Sequence, residues 1–371
     1  MNAIIRAGSA HDFLALVPAL AGFHPRRSLV CVAFTGNRTA GVLRHDLPGA
    51  AASHEALVAA VVGTVCRMPD VDALVPIVYT DETFRDHGGM PERALLELVV
   101  DRAEQAGFRI RDALCRAGDA WGSALDRDEP ATGHPLALIE QSTAVRHVPP
   151  IAQAGDQAGA MRPADPRTTA ALAAAFDELG DIDTAEAAIA RLGRFADPTE
   201  LVETLLSRSR RAATSEHLAW FLVLASRPAI RDAMMLQIAF GAVMAELSLD
   251  AAHVSEEGGG QTPGRAFAVE ELDDLLGRLV MGRTMLRPDR GRLERGLELL
   301  RDLVANAPES ARPGVCCITA WTAWALGRGS LAGAFLDIAL AIEPEHAMAR
   351  LLDGFFSGGA LPDWAFVRSD G

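Results

Sequence analysis

Four residues of one turn have side chains that could bind an anion: His24, Arg26, Arg27 and Ser28. Arginine presents a planar fork of donors that matches a carboxylate or phosphate, histidine presents an imidazole, and serine presents a hydroxyl. The turn follows Gly22 and leads directly into a continuous apolar run, so its polar side chains gather at the mouth of a predicted strand. The sequence therefore predicts a site for a small anionic ligand at this turn.

The same turn also has a purely structural interpretation. Gly22 permits the bend, Pro25 stiffens it, Phe23 covers the core, and Ser28 bonds to the local backbone while the arginines stay in solvent. Its position also argues against a ligand site, because ligands of open α/β sheets bind beyond the carboxyl ends of strands and this turn precedes its strand. Both interpretations stay open.

A second candidate site follows the third predicted strand, where Asp81, Asp86 and His87 precede Gly88 and Gly89. The carboxylates and the imidazole could exchange protons or bind a metal, and the glycine pair would let backbone amides approach a ligand. The acids could equally cap or solvate the loop before the next helix. No second metal motif supports them, so we predict neither a metal site nor a cofactor.

A tryptophan, Trp121, follows the fourth predicted strand in the segment Gly118–Ser123. It could provide a stacking surface for a ligand. The alternative is that it packs in the core, because a tryptophan covers a large apolar area.

Several classes of enzyme are excluded by residues that the chain lacks. All of its 35 basic Lys and Arg positions are arginine, which removes the Walker-A lysine, the Schiff-base lysine and Ser-Lys dyads. The motifs G-x-S-x-G, H-E-x-x-H and G-x-G-x-x-G are also absent from the sequence. The residues leave open whether the protein catalyses any reaction.

Composition limits the compartment and the partners. The 371 residues are 49% hydrophobic and carry a net charge of −14, which disfavours nucleic-acid binding through phosphate neutralisation. No apolar run approaches the length of about 20 residues that spans a bilayer, and no signal-type stretch precedes His11 and Asp12. We therefore expect a cytoplasmic protein that binds neither nucleic acid nor membrane, with its five cysteines as buried thiols.

The first part of the chain alternates apolar runs with amphipathic segments. Strands are predicted at Leu29–Phe34, Gly41–His45, Ala73–Thr80 and Arg109–Arg116. Helices are predicted over Ser53–Arg67, with Ser53 as the N-cap, and over Pro91–Ala106, with Pro91 at the first helical position. The pattern predicts a βαβαβ arrangement, an α/β domain with a parallel or mixed sheet covered by helices.

The rest of the chain has the pattern of helices. We predict an α/β domain over residues 1–150, a linker over 151–166 that is rich in Gly, Pro, Ala and Asp, and an all-α domain over 167–371. One helix is predicted over 228–249, and Ala251–Arg265 is predicted to be disordered.

The last helices show a weak internal repeat. Small residues and a closing proline at Leu326–Gly327, Ala332, Ala339–Leu340 and Pro344 match positions of a tetratricopeptide repeat. Small side chains at these positions let antiparallel helices approach closely. We interpret the domain as tetratricopeptide-like, and an alanine-rich bundle without true repeats is the alternative.

Three segments together resemble one known family. They are the Gly-Phe-x-Pro-x-x-Ser-Leu-Val signature that begins at Gly22, the region of Trp121, and the stretch from Ala-Trp-x-x-Trp near Trp321 to Pro344. The chain resembles the actinobacterial domain-of-unknown-function family 4192, and the resemblance implies membership without implying a reaction. The family pattern has cysteines after the tryptophan, whereas this chain continues from Ala124 to Pro130 without one.

These observations favour a noncatalytic binding or scaffold protein whose helical domain contacts a protein partner or a second copy of the chain. The alternative is an enzyme or sensor for a phosphorylated or carboxylated small molecule, bound at the α/β domain near Arg26, Arg27 and Asp81.

Overall fold

The computed structural model describes residues 8–21, 24–47, 49, 53–147, 162–182, 184–207, 213–256, 263–357 and 359–367. The chain divides into two compact units, one of Met1–Gln157 with Arg368–Gly371 and one of Ala158–Val367. The described part of the first unit combines a sheet with helices, and that of the second is helical. The predicted fold class is therefore confirmed. The predicted domain limits stay predictions, and most of the predicted linker, residues 151–161, lies outside the described residues.

The described part of the first unit contains one seven-stranded mixed sheet. Its strands are β1 (Ser28–Thr35), β2 (Arg38–Asp46), β3 (Ala73–Tyr79), β4 (Arg109–Ile110), β5 (Leu114–Arg116), β6 (Ala120–Ser123) and β7 (His134–Pro135). The order across the sheet is β2-β1-β3-β5-β6-β7, and β4 also pairs with β3. Strand β3 runs parallel to β4 and β5, and the other pairs are antiparallel.

Helices cover both faces of this sheet. They are α1 (Ala10–Ala21), α2 (His54–Arg67), α3 (Phe84–His87), α4 (Arg93–Gln105) and α5 (Ala137–Glu140), followed by a 3-10 helix at Thr143–His147. Helices α2 and α4 bury Val58, Val61 and Leu95 against one face of the sheet. Helix α1 buries Leu14 and Val17 against the other. Strand β3 is buried along its whole length, and β1 is buried from Ser28 to Phe34, because both faces are covered.

The predicted βαβαβ order occurs from β2 to β5 through α2, β3 and α4, and β1 precedes it. Strands β1 and β2 form an antiparallel hairpin, which the short turn at Gly36 allows because this glycine adopts a φ of +54°. The predicted strand 109–116 is two short strands, and between them the Asp112 carboxylate accepts hydrogen bonds from the Ala113 amide and the Ser123 hydroxyl. Ser53 caps α2 as predicted.

The predicted start of the helix after β3 was wrong. Helix α4 begins at Arg93, after Glu92 in a left-handed conformation, so Pro91 lies before the helix.

The second unit is a set of packed helices. They are α6 (Pro166–Gly180), α7 (Ala185–Leu192), α8 (Pro198–Leu206), α9 (Ser215–Ala225), α10 (Pro228–Phe240), α11 (Ala242–Glu256), α12 (Pro263–Val280), α13 (Arg290–Asn306), α14 (Arg312–Ala325), α15 (Gly329–Ile342) and α16 (Ala347–Ser357). The 3-10 helices are Gly193–Ala196, Glu309–Ala311 and Asp363–Phe366. The core contains Trp321, Trp324, Phe221 and Phe335. The tetratricopeptide-like repeat stays a prediction.

Two predictions for this unit were wrong. The helix predicted over 228–249 is interrupted at Gly241, whose φ of +96° ends α10 before α11 begins. Most of the segment predicted to be disordered is helical, because α11 extends to Glu256 and α12 begins at Pro263. Residues 257–262 lie outside the described part. Among the helices that the structure describes, none combines the length and the apolarity that a membrane crossing requires.

Candidate functional site

Strand pairing brings five residues of the first unit into one row. The pairs are Ser28 with Tyr79, Tyr79 with Arg116, Arg116 with Trp121, and Trp121 with His134. Residues paired across neighbouring strands share a face of the sheet, and Tyr79 and Trp121 pack in the cluster that includes α1. We call these five residues the polar row, and it faces α1 and α5.

The polar row contains buried polar atoms that have no hydrogen-bond partner among the described residues: Ser28 Oγ, Tyr79 Oη and Trp121 Nε1. Tyr79 is only 6% exposed. An unsatisfied buried polar group costs about 1–3 kcal/mol of stability, so three in one row are unusual for a region with only a structural role.

A cavity of about 440 Å³ lies over the middle of the polar row. It is lined by Leu14, Ala15, Pro18, His24, Pro25, Arg26, Tyr79, Arg116, Ile139, Glu140 and Val145. Tyr79 and Arg116 are the last residues of the parallel strands β3 and β5. The cavity therefore lies at the carboxyl edge of these strands, where α/β proteins bind ligands.

The walls of the cavity come from α1 and from the segment that includes α5. The Ser142 hydroxyl donates a hydrogen bond of 2.6 Å to Asp12 Oδ1, which joins the two walls. This bond, with a second one from Ser9, holds the pKa of Asp12 below its ordinary value, so its carboxylate is charged at neutral pH.

The floor of the cavity contains the buried Tyr79 side chain, and basic side chains contribute to the lining. Burial raises the pKa of the Tyr79 phenol well above its ordinary value, although Arg116 opposes the shift. The phenol is therefore protonated at neutral pH and can donate a hydrogen bond. His24, Arg26 and Arg116 supply basic groups around it, so the cavity favours an oxygen-rich anion.

The turn with the predicted anion site lies at this same edge. Because β1 runs antiparallel to β3, the start of β1 lies beside the end of β3, and the positional argument against the turn was wrong. His24 and Arg26 line the cavity, and Ser28 belongs to the polar row. Arg27 does not line the cavity, and its carbonyl accepts a hydrogen bond from the Leu47 amide.

Comparison with known proteins places the chain in a family. The family model described as Domain of unknown function (DUF4192) matches residues 11–257 and 270–363. The chain belongs to this family. No curated protein and no solved structure matches it. All residues that line the cavity lie within the first matched range of the DUF4192 family.

The second group of predicted site residues lies outside the cavity lining. Asp86 takes part in the N-terminal cap of α3. Its amide donates a hydrogen bond of 3.0 Å to the Thr83 hydroxyl, which donates one of 2.6 Å to the Asp86 carboxylate. His87 Nε2 contacts Glu82 Oε2 at 2.9 Å, and Asp81 is exposed. These three residues do not share the cavity lining with Arg26. No group of three or more His, Cys, Asp or Glu within the described residues could hold a metal.

Trp121 packs between two histidines of the first unit. Its ring lies 4.6 Å from that of His134 and 6.0 Å from that of His11, measured between centroids. The residue is buried and belongs to the core on the α1 side. Its indole nitrogen still has no described partner, so it stays a candidate member of the site.

Sequence reasoning missed Tyr79, Arg116 and Glu140 as site residues. Tyr79 is the chain's one tyrosine, and it ends an otherwise aliphatic strand. A hydroxyl at the carboxyl end of a buried strand was the available signal. Arg116 offered a similar signal at the end of β5, whereas nothing in the sequence around Glu140 linked it to the turn.

Four of the five cysteines are buried thiols. Burial raises the pKa of the Cys31, Cys115, Cys316 and Cys317 thiols to about 12, so they are thiols rather than thiolates at neutral pH. Cys66 is exposed, which corrects the expectation that every cysteine is buried.

A larger groove of about 560 Å³ lies in the helical unit, between α7 and α10. Its polar groups already have partners. The Trp220 indole donates to the Ala196 carbonyl at 3.2 Å, and Arg227 donates to the Ile182 carbonyl at 3.0 Å. Ile189 lines the groove and is 59% exposed. This surface suits an apolar side chain better than a buried anion.

Proposed function

We propose that the protein binds a small organic anion, with a carboxylate or phosphate group, in the cavity of its α/β unit. The observation that supports this most directly is that Tyr79 lines the cavity while its buried hydroxyl has no hydrogen-bond partner in the described structure. Arg26 and Arg116 line the same space. An oxygen of the ligand would accept the phenolic hydrogen and contact a guanidinium, and such charge-assisted hydrogen bonds are strong.

The role proposed for this cavity is binding. Burial keeps the Tyr79 phenol protonated, so it donates a hydrogen bond and does not act as a phenolate nucleophile. The apolar walls formed by Leu14, Pro18 and Ile139 favour an anion with an apolar body over inorganic phosphate. The alternative of a sensor for a carboxylated or phosphorylated small molecule is thus preferred over the scaffold hypothesis for this unit.

The substitution Tyr79→Phe tests the proposal, because it removes one oxygen and keeps the ring. Without ligand, the variant should be as stable as the wild type or more stable, since an unsatisfied group is lost. With ligand, it should lose most of the thermal stabilisation that the wild type gains. That gain is about 2.7 kcal/mol at a hundredfold excess of ligand over the dissociation constant.

Thermal unfolding of both proteins, measured with a panel of carboxylates, sugar phosphates and nucleotides, gives the readout. Equal stabilisation of both proteins by every binding anion would contradict the proposal, as would a panel without any binder.

For the helical unit we propose protein interaction as a second function. The groove bordered by Ile189 has an apolar floor, and Arg194 and Arg227 line it, which favours an acidic segment that inserts one large apolar side chain. The Asp197 carboxylate in the lining already accepts hydrogen bonds from the amides of Thr199 and Glu200.

Selection of a random peptide library on the full chain tests this function. Enriched peptides should pair an apolar residue with acidic neighbours, and Ile189→Asp should abolish their binding. Peptides that bind this variant as tightly as the wild type would contradict the proposal.

A further inference from the structure

The cavity that we propose to bind an anion also contains one acidic group. Among the described residues that line it, Glu140 at the end of α5 is the carboxylate. Neither Glu140 nor Arg116 forms an ion pair with a described residue. Two oppositely charged side chains therefore line one cavity without forming an ion pair with each other.

Opposite charges that line one cavity without pairing favour a ligand that carries both a positive and a negative charge. An anionic group near Arg116 and Tyr79 satisfies the cation and the phenolic hydrogen. A simple anion leaves Glu140 as a repelling charge, whereas an ammonium group on the same ligand would convert this repulsion into attraction.

The remaining lining determines the body of the ligand. Leu14, Pro18, Ile139 and Val145 form an apolar wall, which would remove an aliphatic or aromatic side chain from water. The volume of about 440 Å³ falls within the range of about 300–1,000 Å³ that is typical of small-molecule sites.

Resting on the proposed function, we propose that the ligand is an apolar α-amino acid or a closely similar amphoteric molecule. Its carboxylate binds the Arg116 guanidinium and the Tyr79 hydroxyl, its ammonium group binds Glu140, and its side chain packs on the apolar wall.

Isothermal titration calorimetry of the full chain tests this with matched probes. For leucine, valine, methionine and phenylalanine, each amino acid is compared with the carboxylic acid that lacks the amino group and with the amine that lacks the carboxylate. At least one amino acid should bind about tenfold or more tightly than either of its analogues, since a hydrogen bond to a charged group contributes about that factor.

The substitution Glu140→Gln should change the affinities for two probes in opposite directions. It should weaken binding of the amino acid about tenfold, and it should strengthen binding of the deaminated acid because a repelling charge is removed. Glu104→Gln, on the exposed surface of α4, is the matched control and should change neither affinity. Tyr79→Phe should weaken the binding of both the amino acid and the deaminated acid.

The outcomes separate the two proposals. If a deaminated acid binds as tightly as its amino acid and Tyr79→Phe weakens the binding of that acid, the proposal of an amphoteric ligand is wrong. The proposal of an anion site is then still supported. If no amino acid binds while another anion does, the same conclusion follows. If no anion binds to the wild type, both proposals are wrong.

Discussion

At the scale of single residues, Tyr79 connects the core to the cavity. Its ring packs among aliphatic side chains of β3 and α1, the residue lines the cavity, and its buried hydroxyl has no described partner. The ring would pack equally well as phenylalanine, so stability alone gives no reason for the oxygen. A binding role explains it, because the hydroxyl gains a partner only when a ligand is present.

Glu129 is a second residue whose chemistry departs from its usual behaviour. Its side chain is 4% exposed and lies 3.3 Å from Arg93 Nη2, over Gly122, where any Cβ would collide with its Oε1 atom. Burial raises the pKa of Glu129 to about 7, with Asp126 and Asp112 acting in the same direction and Arg93 opposing.

This pKa predicts a pH-dependent effect of Glu129→Gln on stability. A carboxyl with a raised pKa holds its proton more tightly in the folded protein, so its contribution to stability decreases as pH rises from about 4.5 to 7. The variant should gain about 2 kcal/mol relative to the wild type between pH 5 and pH 8. Urea unfolding of both proteins at the two pH values measures this gain. An equal stability difference at both values would show that Glu129 is not protonated in the folded state near neutral pH.

At the scale of elements, α9 and α14 approach each other at a glycine. A Cβ on Gly314 of α14 would lie 2.4 Å from the backbone oxygen of Ala225 at the end of α9. Backbone cannot move aside as a flexible side chain can, so the glycine is required for this close contact.

Gly314→Ala should therefore destabilise the protein by about 1–3 kcal/mol, the usual cost of overpacking a core. Gly333→Ala in α15 is the matched control, because a Cβ there meets no atom within 4 Å. The control should leave stability unchanged or raise it by up to about 1 kcal/mol, since alanine favours helix over glycine. Thermal and urea unfolding distinguish the two variants, and equal effects would contradict the close packing of α9 on α14.

The elements were predicted better than their pairing. Continuous apolar runs revealed β1 and β3, and Ser53 marked the start of α2, because these signals are local. The hairpin between β1 and β2 was missed, although Gly36 and Asn37 form a short turn signal between the two apolar segments.

The candidate site depended on the same pairing. The polar row joins Ser28, Tyr79 and Arg116 through strand register, which no local pattern encodes. His24 and Arg26 were named from their chemistry alone. Asp81 was placed with them only because it follows a strand, and it lies outside the cavity lining.

At the scale of the whole molecule, each unit has its own core. The clusters around β1 and β3 contain residues of the first unit, and those around Trp321 and Leu236 contain residues of the second. Among the described residues, no cluster mixes the two, which is typical of domains that can fold independently.

A fragment of residues 1–157 should therefore fold alone. We expect one cooperative urea transition by circular dichroism and the same anion preference as the full chain. A fragment without a cooperative transition would show that the first unit needs the second for stability.

The most direct test of the anion site uses the chain's one tyrosine. Incorporation of 3-fluorotyrosine places a single fluorine at Tyr79, so the ¹⁹F NMR spectrum reports on the cavity alone. Titration with the panel of organic anions should move this resonance to a saturable limit, and Arg116→Gln should weaken the response about tenfold or more. A resonance that stays unchanged with every anion would contradict a ligand site over Tyr79.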